Sequence, residues 1–255
     1  DLSTADLRDI LARAGKFAND AERGKFPSKR LQGRVVVNMF FENSTRTRTS
    51  FEMAALRLGA SVINWDPEKS SLSKGESFSD TLRTLDALAP DALIMRHSEY
   101  NAPHLAARLV RCPVINAGDS WHEHPTQALL DALTVIRRRG KIEGLRLAVC
   151  GDVAHSRVAH SNIILFTRLG ARVRVIAPDF LMPEKFPVEG VEKFTSMEEG
   201  LSGCDLVMML RNQKERMNAD LIPNDATFFR LFGLTPERLR LANPEALVMH
   251  PAPMN

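Results

Sequence analysis

The chain has no run of about 20 apolar residues, the length that a membrane-spanning helix needs, and its amino end shows no signal-peptide pattern. Its three cysteines, Cys112, Cys150 and Cys204, lie far apart and form no C-x-x-C pair, which argues against a disulfide framework or a cysteine zinc site. The net charge is only +3, and the basic residues form no single stripe. We therefore expect a cytoplasmic protein that binds neither a membrane nor nucleic acid.

What the chain does contain is a regular alternation of short apolar segments and helical stretches over most of its 255 residues. We predict strands at residues 35–41, 61–65, 92–95, 114–117, 145–150, 172–176, 206–209 and 247–250. We predict helices at residues 49–58, 77–88, 104–108, 126–138 and 155–169, after a first helix that opens with the capping sequence at residues 3–6. This order predicts an α/β protein with two doubly wound domains, each with a central parallel sheet flanked by helices.

The best domain boundary is the basic segment R-R-R-G-K at residues 137–141, after which the strand–helix pattern starts again. We predict a first domain over residues 1–137 and a second over residues 138–255. The first residue is aspartate and not methionine, so we expect the chain to be part of a longer one. In such folds ligands bind at the carboxyl ends of the strands, which is where candidate site residues should lie.

The most informative motif is S-T-R-T-R at residues 44–48, which follows the first predicted strand. Ser44, Thr45 and Thr47 supply hydroxyl groups, and Arg46 supplies a planar guanidinium suited to phosphate oxygens. The first N–H groups of a helix lack partners within the helix and carry the positive end of its dipole. The segment therefore predicts a phosphate site at a helix start.

A simpler interpretation of the same segment is an ordinary helix cap. Thr49-x-x-Glu52 fits a capping box, and capping boxes are far commoner than phosphate sites. A cap, however, needs no arginines.

Polar side chains recur where other predicted strands end or helices begin. Arg96 follows one strand, His124 and Gln127 precede a helix, and Arg157 and Arg211 follow two later strands. An arginine at a strand end is more often a solvated surface residue than a ligand clamp, so each position alone is weak evidence. Their repetition in one chain indicates a site for small anions.

Six ordered motifs give the chain a resemblance to the transcarbamoylases, the aspartate/ornithine carbamoyltransferase family, over nearly its whole length. They are S-T-R-T-R at 44–48, S-S-x-x-K-G-E at 70–76, M-R-H-S at 95–98, H-P-T-Q at 124–127, R-N-Q-K-E-R at 211–216 and H-P-A-P at 250–253. The fifth motif favours the aspartate branch of the family. An ornithine enzyme should carry H-C-L-P and an acidic S-M-G loop, and neither occurs here.

The resemblance implies transfer of the carbamoyl group of carbamoyl phosphate to the α-amino group of L-aspartate, an early step towards pyrimidines, with no metal or organic cofactor. By similarity, the phosphate is held by Ser44, Thr45, Arg46, Thr47 and Arg96. The carbonyl oxygen, on which negative charge grows, is then polarised by Thr47, Arg96 and His124. The carbamoyl NH2 would donate to Gln127 and to the backbone near Pro251 and Ala252.

The resemblance also assigns the aspartate carboxylates to Arg157, Arg211 and Gln213, with help from Lys74. In the family the loop with Ser70, Ser71 and Lys74 reaches into the active site of the adjacent subunit, so the resemblance implies a homotrimer with shared active sites. A regulatory chain or a dihydroorotase partner is compatible with this resemblance. Family members continue into a return helix beyond residue 255, so we expect this chain to lack that helix, and residues 217–241 receive no roles.

Two other functional classes stay open at this point. The V-C-G-D sequence at residues 149–152 leads from a strand into a helix, as in a Rossmann-type nucleotide-dependent oxidoreductase, although G-x-G-x-x-G is absent. A non-catalytic transcarbamoylase-like module would keep the fold and lose a site residue. A metal pair at His122-x-His124 is disfavoured because no third ligand has suitable spacing.

Overall fold

Helices and parallel strands alternate along the chain in the computed structural model, which describes residues 2–25, 28–213 and 225–254. The helices are α1 (Thr4–Glu22), α2 (Thr45–Arg57), α3 (Phe78–Ala87), α4 (Ala102–Leu109), α5 (Pro125–Arg139), α6 (Arg157–Arg168), α7 (Met197–Leu201), α8 (Asp225–Phe232) and α9 (Pro236–Leu239). The strands are β1 (Val35–Phe40), β2 (Ser61–Trp65), β3 (Ala92–His97), β4 (Val114–Asp119), β5 (Arg146–Cys150), β6 (Arg172–Ile176), β7 (Glu192–Phe194), β8 (Leu206–Met209) and β9 (Leu247–Met249).

The strands form two sheets, with the orders β2-β1-β3-β4 and β7-β6-β5-β8-β9. All strand pairs in both sheets are parallel. By contact density the chain divides into two compact units, Ala12–Thr126 and Asp1–Leu11 together with Gln127–Asn255. These sheets confirm the predicted fold class, whereas the domain boundary at residue 137 stays a prediction.

In the unit Ala12–Thr126 successive side chains of a strand point to opposite sides of the sheet, so both faces are apolar and both are covered by helices. One face packs against α3 and α4, and the other packs against α2. The first cluster contains Val37, Met39, Leu82, Leu93, Met95, Ala106 and Val110. The second contains Val36, Phe40, Ala55, Ala60, Ile94 and Ala117.

The second unit repeats this arrangement around β5, which alternates Leu147 and Val149 on one face with Ala148 and Cys150 on the other. The first face packs against α1, α5 and α6 through Leu7, Leu11, Ala128, Ala132, Val135, Ile163 and Phe166. The other face packs against α7 and α8 through Met197, Leu201 and Phe232. Both sheets are therefore doubly wound, and both leave the carboxyl ends of their strands for polar loops.

Several helices begin at the hydroxyl caps that their sequences favour. Ser3 and Asp6 form the predicted reciprocal box, since the N–H of Asp6 donates to Ser3 Oγ at 3.1 Å and the N–H of Ser3 donates to Asp6 Oδ2 at 2.9 Å. Ser77 and Ser156 cap α3 and α6 with their side chains, which accept from the N–H groups of Asp80 and Ala159.

The structure differs from the predicted strands mainly in two respects. The predicted strands starting at residues 92 and 114 each run two residues further, which brings Arg96 into β3. The sequence does not predict β7, because its three residues E-K-F form no apolar run. No helix within the described ranges is both long and apolar enough to cross a membrane.

Candidate active site

The N-terminus of α2 lies directly after β1, at the carboxyl end of that strand. Ser44 is the N-cap residue with φ −156° and ψ 93°, and Thr45, Arg46 and Thr47 form the first helical turn. The predicted helix start at Thr49 is therefore wrong, and so is the capping-box interpretation of that residue. The N–H groups that lack an acceptor within α2 are therefore those at its start, in the S-T-R-T segment.

Arg96 connects β3 to this helix start. Its Nη1 donates to Ser44 Oγ at 3.1 Å and lies 3.4 Å from Thr47 Oγ1. The register of the sheet explains the contact, since Arg96 pairs with Phe40 at the end of β1. Arg96, Ser44 and Thr47, which the sequence assigns to the phosphate, thus come together at the carboxyl ends of β1 and β3.

Glu42 is a site neighbour that sequence reasoning misses. Its Oε2 accepts a hydrogen bond from Arg96 Nε at 2.8 Å, and both side chains are largely buried, with 19% and 13% exposed. A carboxylate here orients the guanidinium and offsets part of its charge. The available signal was Glu42 itself, an acidic residue at the end of an apolar strand and next to a cationic motif.

The two arginines of the motif have different surroundings. Arg46 is exposed in the first turn of α2. Arg48 Nε donates to Asn64 Oδ1 at 3.3 Å, and the same oxygen accepts from Asn38 Nδ2 at 3.1 Å. Arg48 thus ties α2 to β1 and β2, whereas Arg46 is placed at the helix start.

The loop between β4 and α5 is organised by Asp119, which is fully buried. Its carboxylate accepts from the backbone N–H of Asn101 at 2.8 Å and lies 3.1 Å from His122 Nδ1. His124 is buried and directly precedes Pro125, the first residue of α5. His122 thus serves the loop, and within the described part of the chain no three His, Cys, Asp or Glu residues group as metal ligands.

The segment after β2 folds into two short 3₁₀ turns, Pro67–Lys69 and Ser71–Lys74. Ser70 Oγ donates to the carbonyl of Pro67 at 2.7 Å and accepts from the N–H of Leu72 at 3.3 Å. Ser71 and Lys74 are exposed. Ser70 therefore stabilises the turn, whereas Ser71 and Lys74 are accessible to a ligand.

In the second unit, Asp152 fixes the loop between β5 and α6. It is fully buried, and it accepts from the backbone N–H of Gln213 at 3.0 Å and contacts His155 Nδ1 at 2.8 Å. Arg157 begins α6 directly after the cap residue Ser156 and is buried. Asp152 thus joins the segment before Arg157 to the segment of Gln213.

Arg211, Gln213 and His250 gather at the ends of β8 and β9. Arg211 Nη2 lies 3.4 Å from Gln213 Oε1. Burial lowers the pKa of His250, and the charge of Arg211 lowers it further. His250 Nδ1 accepts from the backbone N–H of Ala252 at 2.8 Å. The imidazole is thus favoured in its neutral form, and it orders the turn at Pro251 and Ala252.

Gln127 lies in the first turn of α5 and donates through Nε2 to Asp131 Oδ1 at 3.0 Å. Asp131 is buried and accepts a second hydrogen bond from Asn162 Nδ2 at 2.8 Å. Sequence reasoning misses both partners, because Asp131 and Asn162 lie within helices and belong to no motif. The predicted residues Lys214, Glu215 and Arg216 lie outside the described part of the chain.

The Rossmann-like turn after β5 has a different use for its glycine. Gly151 has φ +117°, and a Cβ on it would lie 2.8 Å from the carbonyl oxygen of Leu210. The glycine therefore lets two loops of the same unit pack closely, which is a structural role and not evidence of a pyrophosphate cradle.

Comparisons with known proteins agree with this arrangement. The family model described as the carbamoyl-P binding domain of aspartate/ornithine carbamoyltransferase matches residues 1–137, and the one described as the Asp/Orn binding domain matches residues 143–255. The aspartate carbamoyltransferase catalytic subunit of Methylorubrum populi is 54% identical over 254 residues, covering 100% of this chain and 81% of the relative. That of Rhodospirillum rubrum is 55% identical, covering 100% and 80%.

Solved structures give the same result. Aspartate transcarbamoylase from Trypanosoma cruzi in complex with carbamoyl phosphate has a TM-score of 0.85 and 35% identity, covering 100% of this chain and 83% of that one. Its complex with N-(phosphonacetyl)-L-aspartic acid has a TM-score of 0.83 and 34% identity, covering 100% and 82%. The two family models cover nearly all residues, and the identities with the Methylorubrum and Rhodospirillum relatives exceed half, so the oxidoreductase alternative is wrong. This chain belongs to the aspartate/ornithine carbamoyltransferase family.

Proposed function

We propose that this chain is an aspartate carbamoyltransferase, which transfers the carbamoyl group of carbamoyl phosphate to the α-amino group of L-aspartate and releases N-carbamoyl-L-aspartate and phosphate. The observation that carries this proposal is the contact of Arg96 with Ser44 and Thr47 at the N-terminus of α2, in a chain of this family. Relatives that share more than half of its residues are named aspartate carbamoyltransferase catalytic subunits.

The phosphate of carbamoyl phosphate binds at the start of α2. The proposed ligands are Ser44, Thr45, Arg46, Thr47 and Arg96. A dianion gains there from first-turn N–H groups, hydroxyl donors and two guanidiniums, each of which forms charge-assisted hydrogen bonds. The exposure of Arg46 and the Arg96 contacts support this assignment.

The carbonyl of the carbamoyl group receives hydrogen bonds from Thr47, Arg96 and His124, because negative charge grows on its oxygen when the amine attacks. The carbamoyl NH2 donates to Gln127 and to carbonyl oxygens at Pro251 and Ala252. The N–H of Ala252 is already bonded to His250, which supports a role for this turn as an acceptor. These groups fix the orientation of the reacting carbon.

The two carboxylates of aspartate bind to Arg157, Arg211 and Gln213, with Lys74 as a further cation. The proximity of Arg211 to Gln213 and the shared anchoring of the two loops by Asp152 support the first set. Guanidiniums suit carboxylates because they donate two parallel hydrogen bonds. The α-amine is thereby directed at the carbonyl carbon.

Charge neutralisation is the reason for so many cations. Carbamoyl phosphate brings about two negative charges and aspartate two carboxylates, which repel one another at close range. The cations that offset this repulsion are Arg46, Lys74, Arg96, Arg157 and Arg211. Holding both reactants in line supplies on the order of 7 kcal/mol of barrier reduction, and departing phosphate accepts the proton of the amine.

The catalytic unit in this proposal is a homotrimer with shared active sites. Lys74 and Ser71 are exposed on a loop ordered by Ser70, which supports their contact with a ligand of a neighbouring chain. Cyclic symmetry would then give three identical sites per trimer. An isolated chain would have little activity, since each site would lack Lys74.

The remaining parts of the proposal concern location, domains and partners. The enzyme works in the cytoplasm, which suits its unpaired cysteines, two of them buried. The carbamoyl-phosphate-binding domain spans residues 1–137 and the aspartate-binding domain spans 138–255, in line with the matched ranges of the family models. A regulatory chain or a dihydroorotase partner is compatible with this organisation.

The experiment is a colorimetric assay of carbamoyl product with aspartate and ornithine offered side by side. We expect product from aspartate and at most a trace from ornithine. The reason is that the proposed binding site for the acceptor's side chain contains two guanidiniums and no acidic group. Equal or greater transfer to ornithine would refute the aspartate assignment. A complete lack of transfer to both would favour the non-catalytic alternative.

A further inference from the structure

Asp131, on α5, is a buried carboxylate whose described hydrogen bonds come from two neutral amides and not from a cation. It is 6% exposed, and its two oxygens accept separately from Gln127 Nε2 at 3.0 Å and from Asn162 Nδ2 at 2.8 Å. A buried charge usually has a partner of opposite sign, because desolvation of a carboxylate is costly. Such an arrangement calls for a reason other than stability.

Hydrogen-bond direction shows what the carboxylate does. Asn162 Nδ2 donates both to Asp131 Oδ2 and to the carbonyl of Val158, at 3.0 Å, so its NH2 faces two acceptors and its orientation is set. The carboxamide of Gln127 is constrained in a similar way by Asp131 Oδ1, which accepts from its Nε2. If its carboxamide were reversed, Oε1 would meet an ionised oxygen with no proton between them. An ionised Asp131 therefore directs Nε2 of Gln127 towards itself and Oε1 away.

We propose that Asp131 is a positioning residue for carbamoyl transfer, which fixes the carboxamide of Gln127 so that Oε1 is presented to the NH2 of the carbamoyl group. The inference rests on the proposed function, because it needs a carbamoyl NH2 as the donor. With the carboxamide reversed, two NH2 groups would face each other and the hydrogen bond would be lost.

The acid–base properties of Asp131 agree with this role. Burial raises the pKa of Asp131 from its ordinary 3.8 to about 6, and the hydrogen bonds from Asn162 and Gln127 oppose that rise only in part. The charged or titratable groups on α6, which carries Asn162, are Arg157, His160 and Arg168, and those on α5 are Arg137, Arg138 and Arg139. Asp131 is therefore ionised near neutral pH. The ionised carboxylate accepts hydrogen bonds and cannot donate them, so it enforces a single orientation of the Gln127 carboxamide.

The test compares Asp131→Asn, Gln127→Ala and the double variant in the steady-state assay at pH 8. Gln127→Ala should lower kcat/KM for carbamoyl phosphate about tenfold, the loss expected for one hydrogen bond. Asp131→Asn should lower it roughly threefold to tenfold, since an amide does not enforce one direction, and should leave KM for aspartate unchanged. The double variant should be no worse than Gln127→Ala alone, because Asp131 acts through that side chain.

Asp205→Asn is the matched control, since Asp205 is a hydrogen-bonded carboxylate that directly precedes β8, at the amino end of that strand. It should show wild-type kcat/KM. Melting temperatures separate the proposed role from a merely structural one, because Asp131→Asn removes a buried charge and should melt no lower than wild type. Losses that multiply in the double variant, or a lowered melting temperature with no kinetic change, would overturn the proposal.

A pH series gives an independent readout. The wild-type to Asp131→Asn ratio of kcat/KM should fall towards one as the pH drops from 8 to 5, since a protonated Asp131 can donate as well as accept. A ratio that stays constant contradicts the inference while leaving the proposed function intact. Absence of transfer by the wild type would instead refute the proposed function.

Discussion

Arg96 has the central position among the candidate ligands because it touches the helix start and an acid at once. Its guanidinium donates to Ser44 through one nitrogen and to Glu42 through another. Both arginine and glutamate are largely buried, so the interaction is screened less than a surface ion pair. These hydrogen bonds fix the orientation of the Arg96 side chain at the carboxyl end of β3, where an anion can bind.

Arg46→Ala tests the phosphate assignment at the scale of one residue. We expect kcat/KM for carbamoyl phosphate to fall by on the order of 100-fold or more, since a charge-assisted contact to the phosphate is lost. Arg48→Ala is the control, because Arg48 hydrogen-bonds to Asn64. Steady-state kinetics of both variants decide the matter. Equal losses in the two variants would contradict the different roles assigned to them.

Arg211→Ala tests the aspartate assignment. The KM for aspartate should rise on the order of 100-fold while that for carbamoyl phosphate changes little, because only a carboxylate partner is removed. Arg172→Ala is a suitable control, since Arg172 is exposed at the first residue of β6, away from the carboxyl ends of the strands. A parallel rise of both KM values in Arg211→Ala would mean a general disturbance and not a lost ligand.

Asp131→Asn should also change how stability depends on pH. The pKa of Asp131 is raised in the folded protein, so folding loses stability as the pH rises from about 4 through 6. Relative to wild type, the variant should therefore gain up to about 3 kcal/mol in free energy of unfolding between pH 4 and pH 8. Urea unfolding at both pH values measures it. If the stability of the variant relative to wild type fell between pH 4 and pH 8, the raised pKa of Asp131 would be contradicted.

At the scale of elements, close loop packing after β5 depends on a glycine. Gly151→Ala should lower the free energy of unfolding by about 2 kcal/mol or more, because its Cβ would meet the backbone oxygen of Leu210 at 2.8 Å in addition to the strain of a positive φ. Gly144→Ala has a positive φ but no atom within 4 Å of the added Cβ, so it should cost only about 1 kcal/mol. Urea titrations of the two variants compare the costs. Similar values for both would show that the loop relaxes.

Elements with a clear apolar run are predictable from the sequence, and those that depend on distant contacts are not. The sequence predicts β2, β6 and β8 with the bounds that the structure has, since each is a short apolar-rich run between turns. The start of α2 is predicted four residues late, because S-T-R-T has low helix propensity and begins a helix only with its polar groups at the strand end.

The candidate site shows the same division. Its motif residues are recognisable one by one, and the contact of Arg96 with Ser44 follows from parallel strand order. Glu42 with Arg96 and Asp131 with Asn162 are pairs separated by 54 and 31 residues. Such pairings depend on sheet register and helix packing, which local pattern does not specify.

At the scale of the whole molecule, the proposed trimer makes a prediction about mixed chains. Lys74→Ala and Arg46→Ala should each be nearly inactive alone, whereas trimers reassembled from an equal mixture should regain activity at roughly a quarter of the sites. At those sites a Lys74→Ala chain supplies an intact Arg46 and its neighbour, an Arg46→Ala chain, supplies an intact Lys74. The assay follows carbamoyl aspartate after mild denaturation and refolding of the mixture. Activity no higher than the sum of the separate variants would contradict shared sites.

The most direct measurement of the central claim is a nuclear magnetic resonance time course with ¹³C-labelled carbamoyl phosphate and unlabelled aspartate. The account predicts that the label moves into N-carbamoyl-L-aspartate, with one phosphate released for each product molecule and no release above background when aspartate is omitted. Phosphate release that is independent of aspartate, or label that never enters carbamoyl aspartate, would contradict it.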